Sequence, residues 1–220
     1  MRRVDALIFD MDGLIFDSER VVQRSWNEAG TELGYGRVGE QIYHTLGFNV
    51  KQREVYFKRI YGEDFQMEEF NNLTRKIFYE IAESEGIAMK KGVRELMEFA
   101  KESGIQIGLA TSSRREYSVR LLTEAGIWKY FDGCVFGDMV TKAKPDPEIY
   151  LKACEAVGVC PAKSIALEDA PAGIRASHAA GMIPVMVPDL VEPTEEIQSL
   201  YYRRVDSLIE VIPLVEELEK

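Results

Sequence analysis

Short apolar runs alternate with amphipathic segments along most of the chain. Such runs are typical of strands buried on both faces of a parallel sheet. The amphipathic segments have helical spacing, and several of them stop at a glycine, as helices often do. The runs predict strands at Ala6–Phe9, Ile105–Ala110, Cys134–Phe136, Ser164–Leu167 and Ile183–Val187. The segments predict helices at Gly92–Ser103, Arg114–Ala125, Pro147–Val157, Ala172–Ala180 and Ser207–Glu219. This alternation predicts a three-layer, doubly wound parallel α/β sheet of the Rossmann-like kind.

One stretch, residues 18–85, interrupts the alternation because it contains no strand-like run. Its patterns predict helices at Glu19–Glu32, Val50–Tyr61 and Glu68–Glu83. We therefore expect two domains. An α/β core consists of residues 1–17 and 86–220, and a helical cap of residues 18–85 is inserted directly after the first strand.

Composition and charge narrow the range of partners. The 220 residues are 46% hydrophobic and 29% charged, which is ordinary for a globular protein. The net charge is −10, from 27 basic and 37 acidic residues, and no basic run exceeds two residues. We therefore do not expect a nucleic-acid partner. No stretch approaches the roughly 20 apolar residues of a membrane span, so no membrane partner is expected either. The oligomeric state stays open, and a monomer is compatible with the sequence.

The cysteines and the N-terminus indicate a cytoplasmic protein. The three cysteines, an odd number, form no CxxC pair, so reduced thiols are expected. Acidic residues at Asp5, Asp10 and Asp12 interrupt the apolar core that a signal peptide would need.

The first predicted strand ends in a pair of carboxylates, Asp10 and Asp12, followed by Gly13. In open parallel sheets, ligands bind beyond the carboxyl ends of the strands. One carboxylate there can act as a nucleophile, and a second can protonate a leaving oxygen and later deprotonate water. The alternative is a simple turn with a helix cap, since aspartate is common in both.

Three further strand ends or loops carry polar residues of matching chemistry. Glu168 and Asp169 add carboxylates, and such a density of oxygen ligands suits Mg²⁺. Thr111 and the backbone amide of Ser112 can hold phosphoryl oxygens, or they can serve only as a helix N-cap. Lys144 can supply a point charge for a phosphate and a nucleophile, or it can be an ordinary solvated lysine.

These elements, in this order, resemble the four motifs of the haloacid dehalogenase-like superfamily of phosphotransferases. The first motif, DxDGxxxD, spans residues 10–17, and the others are Thr111, Lys144 and the pair Glu168-Asp169. The segment from Leu167 to Ile174 and the position of the helical insert are similar to the subgroup of beta-phosphoglucomutases and small sugar-phosphate phosphatases.

The resemblance implies roles for the acidic residues. Asp10 would be the nucleophile and a Mg²⁺ ligand. Asp12 would be the general acid and base, with its backbone carbonyl on the metal. Glu168 and Asp169 would complete the metal site, so that Mg²⁺ is the expected cofactor.

The same resemblance implies how the phosphoryl group is held. Thr111, the amide of Ser112 and Lys144 would bind it. The first strand would lie centrally, between the second and the fourth, and the peptide bond between Lys144 and Pro145 would be cis.

The implied function is a Mg²⁺-dependent phosphatase. It would hydrolyse a small phosphorylated metabolite, a sugar or nucleoside monophosphate, through an aspartyl-phosphate intermediate. Two alternatives are a beta-phosphoglucomutase and a non-catalytic binding protein on the same fold. The intact acidic residues and Lys144 argue against the second alternative.

Two places in the cap favour the phosphatase over the mutase. Related mutases have a histidine twelve residues after the nucleophile, where this chain has Val22. They also have a cationic cap loop, and the matching stretch here, residues 46–50, carries no cation. Within it, Phe48 and Asn49 are candidates to face a substrate. Lys51 and Arg53 lie nearby and could replace the missing cations.

Overall fold

The computed structural model describes residues 4–45, 50–190 and 192–219. Within the chain, contacts separate two compact units. One comprises residues 1–16 and 89–220, and the other comprises residues 17–88.

The smaller unit is helical. Its core is aromatic: the ring of Trp26 lies 5.5 Å from that of Phe57 and 5.8 Å from that of Phe70. The predicted helical patterns of this stretch are confirmed, and Phe48 and Asn49 lie outside the described residues. The helices are α1 (Ser18–Glu32), α2 (Ile42–Thr45), α3 (Val50–Tyr61) and α4 (Met67–Glu85).

The larger unit is built on a parallel sheet, as predicted. In the described part of the chain its strand order is β3-β2-β1-β4-β5-β6. The first strand therefore lies between the second and the fourth, which confirms the expected central position. The strands are β1 (Ala6–Phe9), β2 (Gln106–Ala110), β3 (Gly133–Val135), β4 (Ser164–Glu168), β5 (Ile183–Met186) and β6 (Arg203–Arg204).

Helices connect these strands. They are α5 (Val93–Glu102), α6 (Arg115–Glu124), α7 (Glu148–Val157), α8 (Pro171–Ala179), α9 (Glu195–Gln198) and α10 (Val211–Glu219). The first four agree closely with the predicted ones. The last differs, because a 3₁₀ turn at Leu208–Glu210 precedes α10, so the prediction of a helix from Ser207 was wrong at its start. None of the described helices is long and apolar enough to cross a membrane.

The sheet is covered on both faces. All four residues of β1 are fully buried, although successive side chains of a strand point to opposite faces. On one face, Ala6 and Ile8 belong to the same apolar cluster as Ile149 and Tyr150 of α7. This arrangement confirms the three-layer prediction. It also sets the carboxyl ends of β1, β2 and β4 side by side.

Candidate active site

The carboxyl ends of the three central strands meet at one edge of the sheet. The register of β1 with β2 and β4 places Asp10 level with Ala110 and Glu168. The motifs that follow β1, β2 and β4 therefore begin side by side at this edge, although they are far apart in sequence.

A tight turn after β1 depends on Gly13. The amide of Gly13 donates to the carbonyl of Phe16 at 2.9 Å, and its φ of +82° lies in the left-handed region that glycine favours. A Cβ at this position would lie 2.2 Å from Oδ2 of Asp169. Gly13 therefore allows both the turn and the close approach of Asp169.

Lys144 joins the strand ends. It follows α6 and β3 in the loop before α7, and its peptide bond to Pro145 is cis, as expected. Its Nζ donates to Oδ1 of Asp10 at 2.5 Å, to Oε1 of Glu168 at 2.6 Å and to the carbonyl of Ala110 at 3.1 Å. The side chain is only 9% exposed. Lys144 is therefore not an ordinary solvated lysine, which was the alternative that the sequence left open.

Burial dominates the electrostatics of Asp10. It raises the pKa of Asp10 to about 7. The nearby Lys144 ammonium counteracts this rise, and the charges of Glu168 and Asp12 add to it. Burial alone would lower the pKa of Lys144, but Asp10 and Glu168 outweigh burial and raise it. Lys144 is therefore a permanent cation, and Asp10 is a carboxylate whose charge depends on its surroundings.

Three carboxylates lie close enough to share a cation. Asp10, Glu168 and Asp169 each offer an oxygen, and these oxygens all lie within 4.8 Å of one another. Asp10 and Glu168 are buried, and Asp169 is half-buried. All three donors are carboxylate oxygens, which are the ligands that Mg²⁺ and similar hard divalent cations prefer.

Thr111 and Ser112 follow directly after β2. Thr111 is fully buried, and Oγ1 of its hydroxyl accepts a hydrogen bond from the amide of Ser113 at 3.0 Å. This is a local capping contact, and it leaves the hydroxyl proton available as a donor. Ser112 is exposed. Both residues lie beside Ala110, whose carbonyl binds Lys144, so the structure brings them to the same strand ends as Asp10.

Asp12 accepts a hydrogen bond from Ser113, a residue outside the four motifs of the family resemblance. Oγ of Ser113 donates to Oδ2 of Asp12 at 2.7 Å, across 101 positions of the chain. In the sequence, this contact is indicated by no more than a run of three hydroxyl residues, Thr111, Ser112 and Ser113, directly after β2. The sequence does not show that Ser113 reaches Asp12.

If Asp169 is a ligand of a divalent cation, replacing Gly13 with alanine should weaken Mg²⁺ binding by about 10- to 100-fold. The new Cβ would occupy the space of the Asp169 carboxylate. The left-handed backbone should add a loss of roughly 1–2 kcal/mol in the free energy of unfolding. Calorimetric titration with Mg²⁺ and denaturant unfolding measure the two effects.

Gly34→Ala is the matched control. Gly34 has the same φ of +82°, but a Cβ there would meet no atom of the described residues within 4 Å. This variant should lose stability and keep its Mg²⁺ affinity. Equal Mg²⁺ affinities for Gly13→Ala and the unaltered protein would contradict a role of Asp169 as a metal ligand.

Comparison with known proteins places this arrangement in a family. The family model for haloacid dehalogenase-like hydrolases matches residues 7–187. YhcW of Bacillus subtilis, named as a candidate phosphatase, is 35% identical over 212 residues, covering 94% of each chain. The phosphorylated carbohydrates phosphatase of Thermotoga maritima is 34% identical over 182 residues, covering 81% of this chain and 82% of its own.

A solved structure agrees with these relatives. It is a variant of CbbY from Rhodobacter sphaeroides in complex with xylulose-1,5-bisphosphate. It superposes with a TM-score of 0.74 at 27% identity, covering 94% of this chain and 96% of that one. The predicted resemblance is thus confirmed: the chain belongs to the haloacid dehalogenase-like hydrolase family.

Proposed function

We propose that the protein is a Mg²⁺-dependent phosphatase that hydrolyses a small phosphorylated metabolite, a sugar or nucleoside monophosphate. The observation that carries this proposal is the position of Asp10. Its carboxylate is buried at the end of the central strand, 2.5 Å from the Lys144 ammonium and beside the carboxylates of Glu168 and Asp169. The name of the Thermotoga relative and the bisphosphate bound to CbbY support a phosphorylated carbohydrate as substrate.

In the first step, a carboxylate oxygen of Asp10 attacks the phosphorus atom. The bond between phosphorus and the leaving oxygen breaks as the bond to Asp10 forms. The carboxyl group of Asp12 gives its proton to the leaving oxygen, so that an alcohol departs and an aspartyl phosphate remains. The hydrogen bond from Ser113 to Asp12 supports this role because it fixes the carboxyl group in one orientation.

In the second step, water hydrolyses the aspartyl phosphate. The carboxylate of Asp12, now without its proton, takes one from the water as the water oxygen attacks phosphorus. The bond to Asp10 breaks, and inorganic phosphate leaves with Asp10 restored as a carboxylate. The protons balance over the cycle, since Asp12 gives one and regains one.

The remaining residues would bind the phosphoryl group and the metal ion. In the proposal, Thr111, the amide of Ser112 and Lys144 hold the phosphoryl oxygens. The metal ligands would be the carboxylates of Asp10, Glu168 and Asp169 and the backbone carbonyl of Asp12. A bound Mg²⁺ offsets the negative charge of the carboxylates and of the phosphate.

We assign substrate selection to the predicted cap, residues 18–85, which lies within the helical unit of residues 17–88. The sheet edge described above recognises a phosphoryl group and does not distinguish one alcohol from another. A separate unit is therefore needed to select the leaving group. Val22, on α1, is half-buried, and the stretch 46–49 lies outside the described residues.

We also place the protein in the cytoplasm. The cysteines Cys134, Cys154 and Cys160 are all free. Free thiols are the usual state of cysteines in a reducing compartment.

The test of this function is phosphate release from a panel of sugar and nucleoside monophosphates in the presence of Mg²⁺. We expect turnover of at least one phosphorylated sugar or nucleotide in the panel. Absence of turnover across the panel, with the protein folded and Mg²⁺ bound, would contradict the proposal.

The same experiment distinguishes a phosphatase from a mutase. With beta-glucose 1-phosphate, we expect phosphate release to exceed formation of glucose 6-phosphate, measured with a coupled dehydrogenase. The physical reason is that Val22 cannot balance a second phosphate dianion, and burying such a charge without a partner is costly. Isomerisation faster than hydrolysis would identify a mutase instead.

A further inference from the structure

Tyr150 places a hydroxyl group beneath the proposed active site. It lies on α7, in the apolar cluster that α7 forms with β1, and it is fully buried. Its hydroxyl donates to Oε1 of Glu168 at 2.5 Å. Apolar packing alone would be satisfied by phenylalanine, so the hydroxyl calls for a separate explanation.

The acceptor of this bond also receives Lys144. Oε1 of Glu168 accepts from Nζ of Lys144 at 2.6 Å and from the Tyr150 hydroxyl at 2.5 Å. A carboxylate oxygen has two lone pairs, so these two donors fill it. The other oxygen, Oε2, accepts a hydrogen bond from the amide of Ala170 at 3.3 Å.

The Glu168 carboxylate is also closely surrounded. A Cβ at Gly173, on α8, would lie 1.7 Å from Oε1 and 2.3 Å from Oε2. Glycine at this position is what leaves room for the carboxylate, which is 1% exposed. Hydrogen bonds and packing together hold Glu168 in one orientation.

The Lys144 ammonium has three N–H groups, and all three have acceptors. These are Asp10, Glu168 and the carbonyl of Ala110. The contact with Asp10 must change during phosphoryl transfer, because the Asp10 carboxylate becomes bonded to phosphorus. The contacts with Glu168 and Ala110 then determine where the ammonium points.

We propose that Tyr150 is a positioning residue for phosphoryl transfer, which acts by fixing Glu168 so that Glu168 fixes the Lys144 ammonium. This inference rests on the proposed function. Lys144 can then direct to a phosphoryl oxygen the N–H that Asp10 no longer accepts. A hydrogen-bond donor that already points at this oxygen needs no reorganisation in the transition state, and preorganised donors of this kind contribute most to catalysis.

The position of the tyrosine ring supports this role. The ring lies 5.0 Å from Nζ of Lys144, within the range of a cation–π contact. A phenylalanine would preserve the ring contact and the packing and would remove only the hydroxyl.

Tyr150→Phe tests the proposal, with Tyr130→Phe as its matched control. Tyr130 also donates to a glutamate, Glu98, at 3.2 Å, but on the surface of the same unit. With Mg²⁺ present, hydrolysis of p-nitrophenyl phosphate gives kcat and KM, and calorimetry gives the affinities for orthovanadate and for Mg²⁺. Thermal unfolding shows that each variant is folded.

For Tyr150→Phe, we expect kcat to fall about tenfold and orthovanadate to bind about tenfold more weakly. KM should stay within about twofold, because Lys144 keeps its charge and binding of the substrate's ground state does not require an aimed donor. The affinity for Mg²⁺ should fall much less than kcat, because the amide of Ala170 and the packing against Gly173 still hold Oε2 of Glu168. Tyr130→Phe should match the unaltered protein in every measurement.

Three results would overturn the inference. The first is an unchanged kcat together with unchanged orthovanadate binding. The second is a tenfold loss of Mg²⁺ affinity, which would mean that the hydroxyl acts through the metal ligands. The third is an unfolded Tyr150→Phe protein, which would mean that the hydroxyl serves the fold. An unaltered protein that binds Mg²⁺ but releases no phosphate would instead refute the proposed function, and orthovanadate binding would still test Tyr150.

Discussion

Asp10→Asn should lower the rate of phosphate release by at least about 10⁴-fold. Asparagine has the size of aspartate, and its Oδ1 can still accept a hydrogen bond from Lys144, which now lies 2.5 Å from the Asp10 carboxylate. It lacks the negative charge that attacks phosphorus, so no aspartyl phosphate can form. Steady-state phosphate release with Mg²⁺ measures the loss.

Asp138→Asn is the control for this substitution. Asp138 is an exposed residue of the same unit, in the 3₁₀ turn after β3, so its replacement should leave activity and circular dichroism unchanged. Both variants should remain folded. Substantial turnover by a folded Asp10→Asn protein would remove Asp10 from the role of nucleophile.

The sheet could be predicted because its central strands are buried on both faces. All residues of β1 and β4 are buried, so their apolar runs are clear in the sequence. The edge strand β6 consists of Arg203 and Arg204, both exposed, and a strand that buries no side chain leaves no apolar signal. The short helix α9 was missed for a related reason, since only Ile197 is buried there.

The acidic pairs and Lys144 could be selected because they follow predicted strands at positions typical of a known family. The contacts of Ser113 with Asp12 and of Tyr150 with Glu168 could not be predicted. In sequence, Tyr150 is one of the buried positions on the face of a helix, together with Ile149 and Ala153. Whether its hydroxyl meets a carboxylate depends on the packing of α7 against the sheet, and no local pattern determines that packing.

Removing the divalent cation should abolish phosphate release, and adding Mg²⁺ should restore it. Without a cation, the carboxylates of Asp10, Glu168 and Asp169, whose oxygens lie within 4.8 Å of one another, repel a phosphate dianion. Lys144 supplies a single positive charge, and two of these carboxylates already share it. Phosphate release in excess chelator, followed by titration with Mg²⁺, measures the effect. Full activity in excess chelator would contradict the proposed metal site.

The pH dependence of Mg²⁺ binding tests whether Asp10 is one of the ligands. Burial raises the pKa of Asp10 to about 7 in the protein without metal. A proton and a cation compete for the same carboxylate. Below that pH the proton must leave before Mg²⁺ binds, and above it the carboxylate is already ionised. The affinity measured by calorimetry should therefore increase as the pH rises through about 7 and level off at higher pH. Asp10→Asn should bind Mg²⁺ more weakly and lose most of this dependence. An affinity that does not change with pH in the unaltered protein would exclude Asp10 from the ligand set.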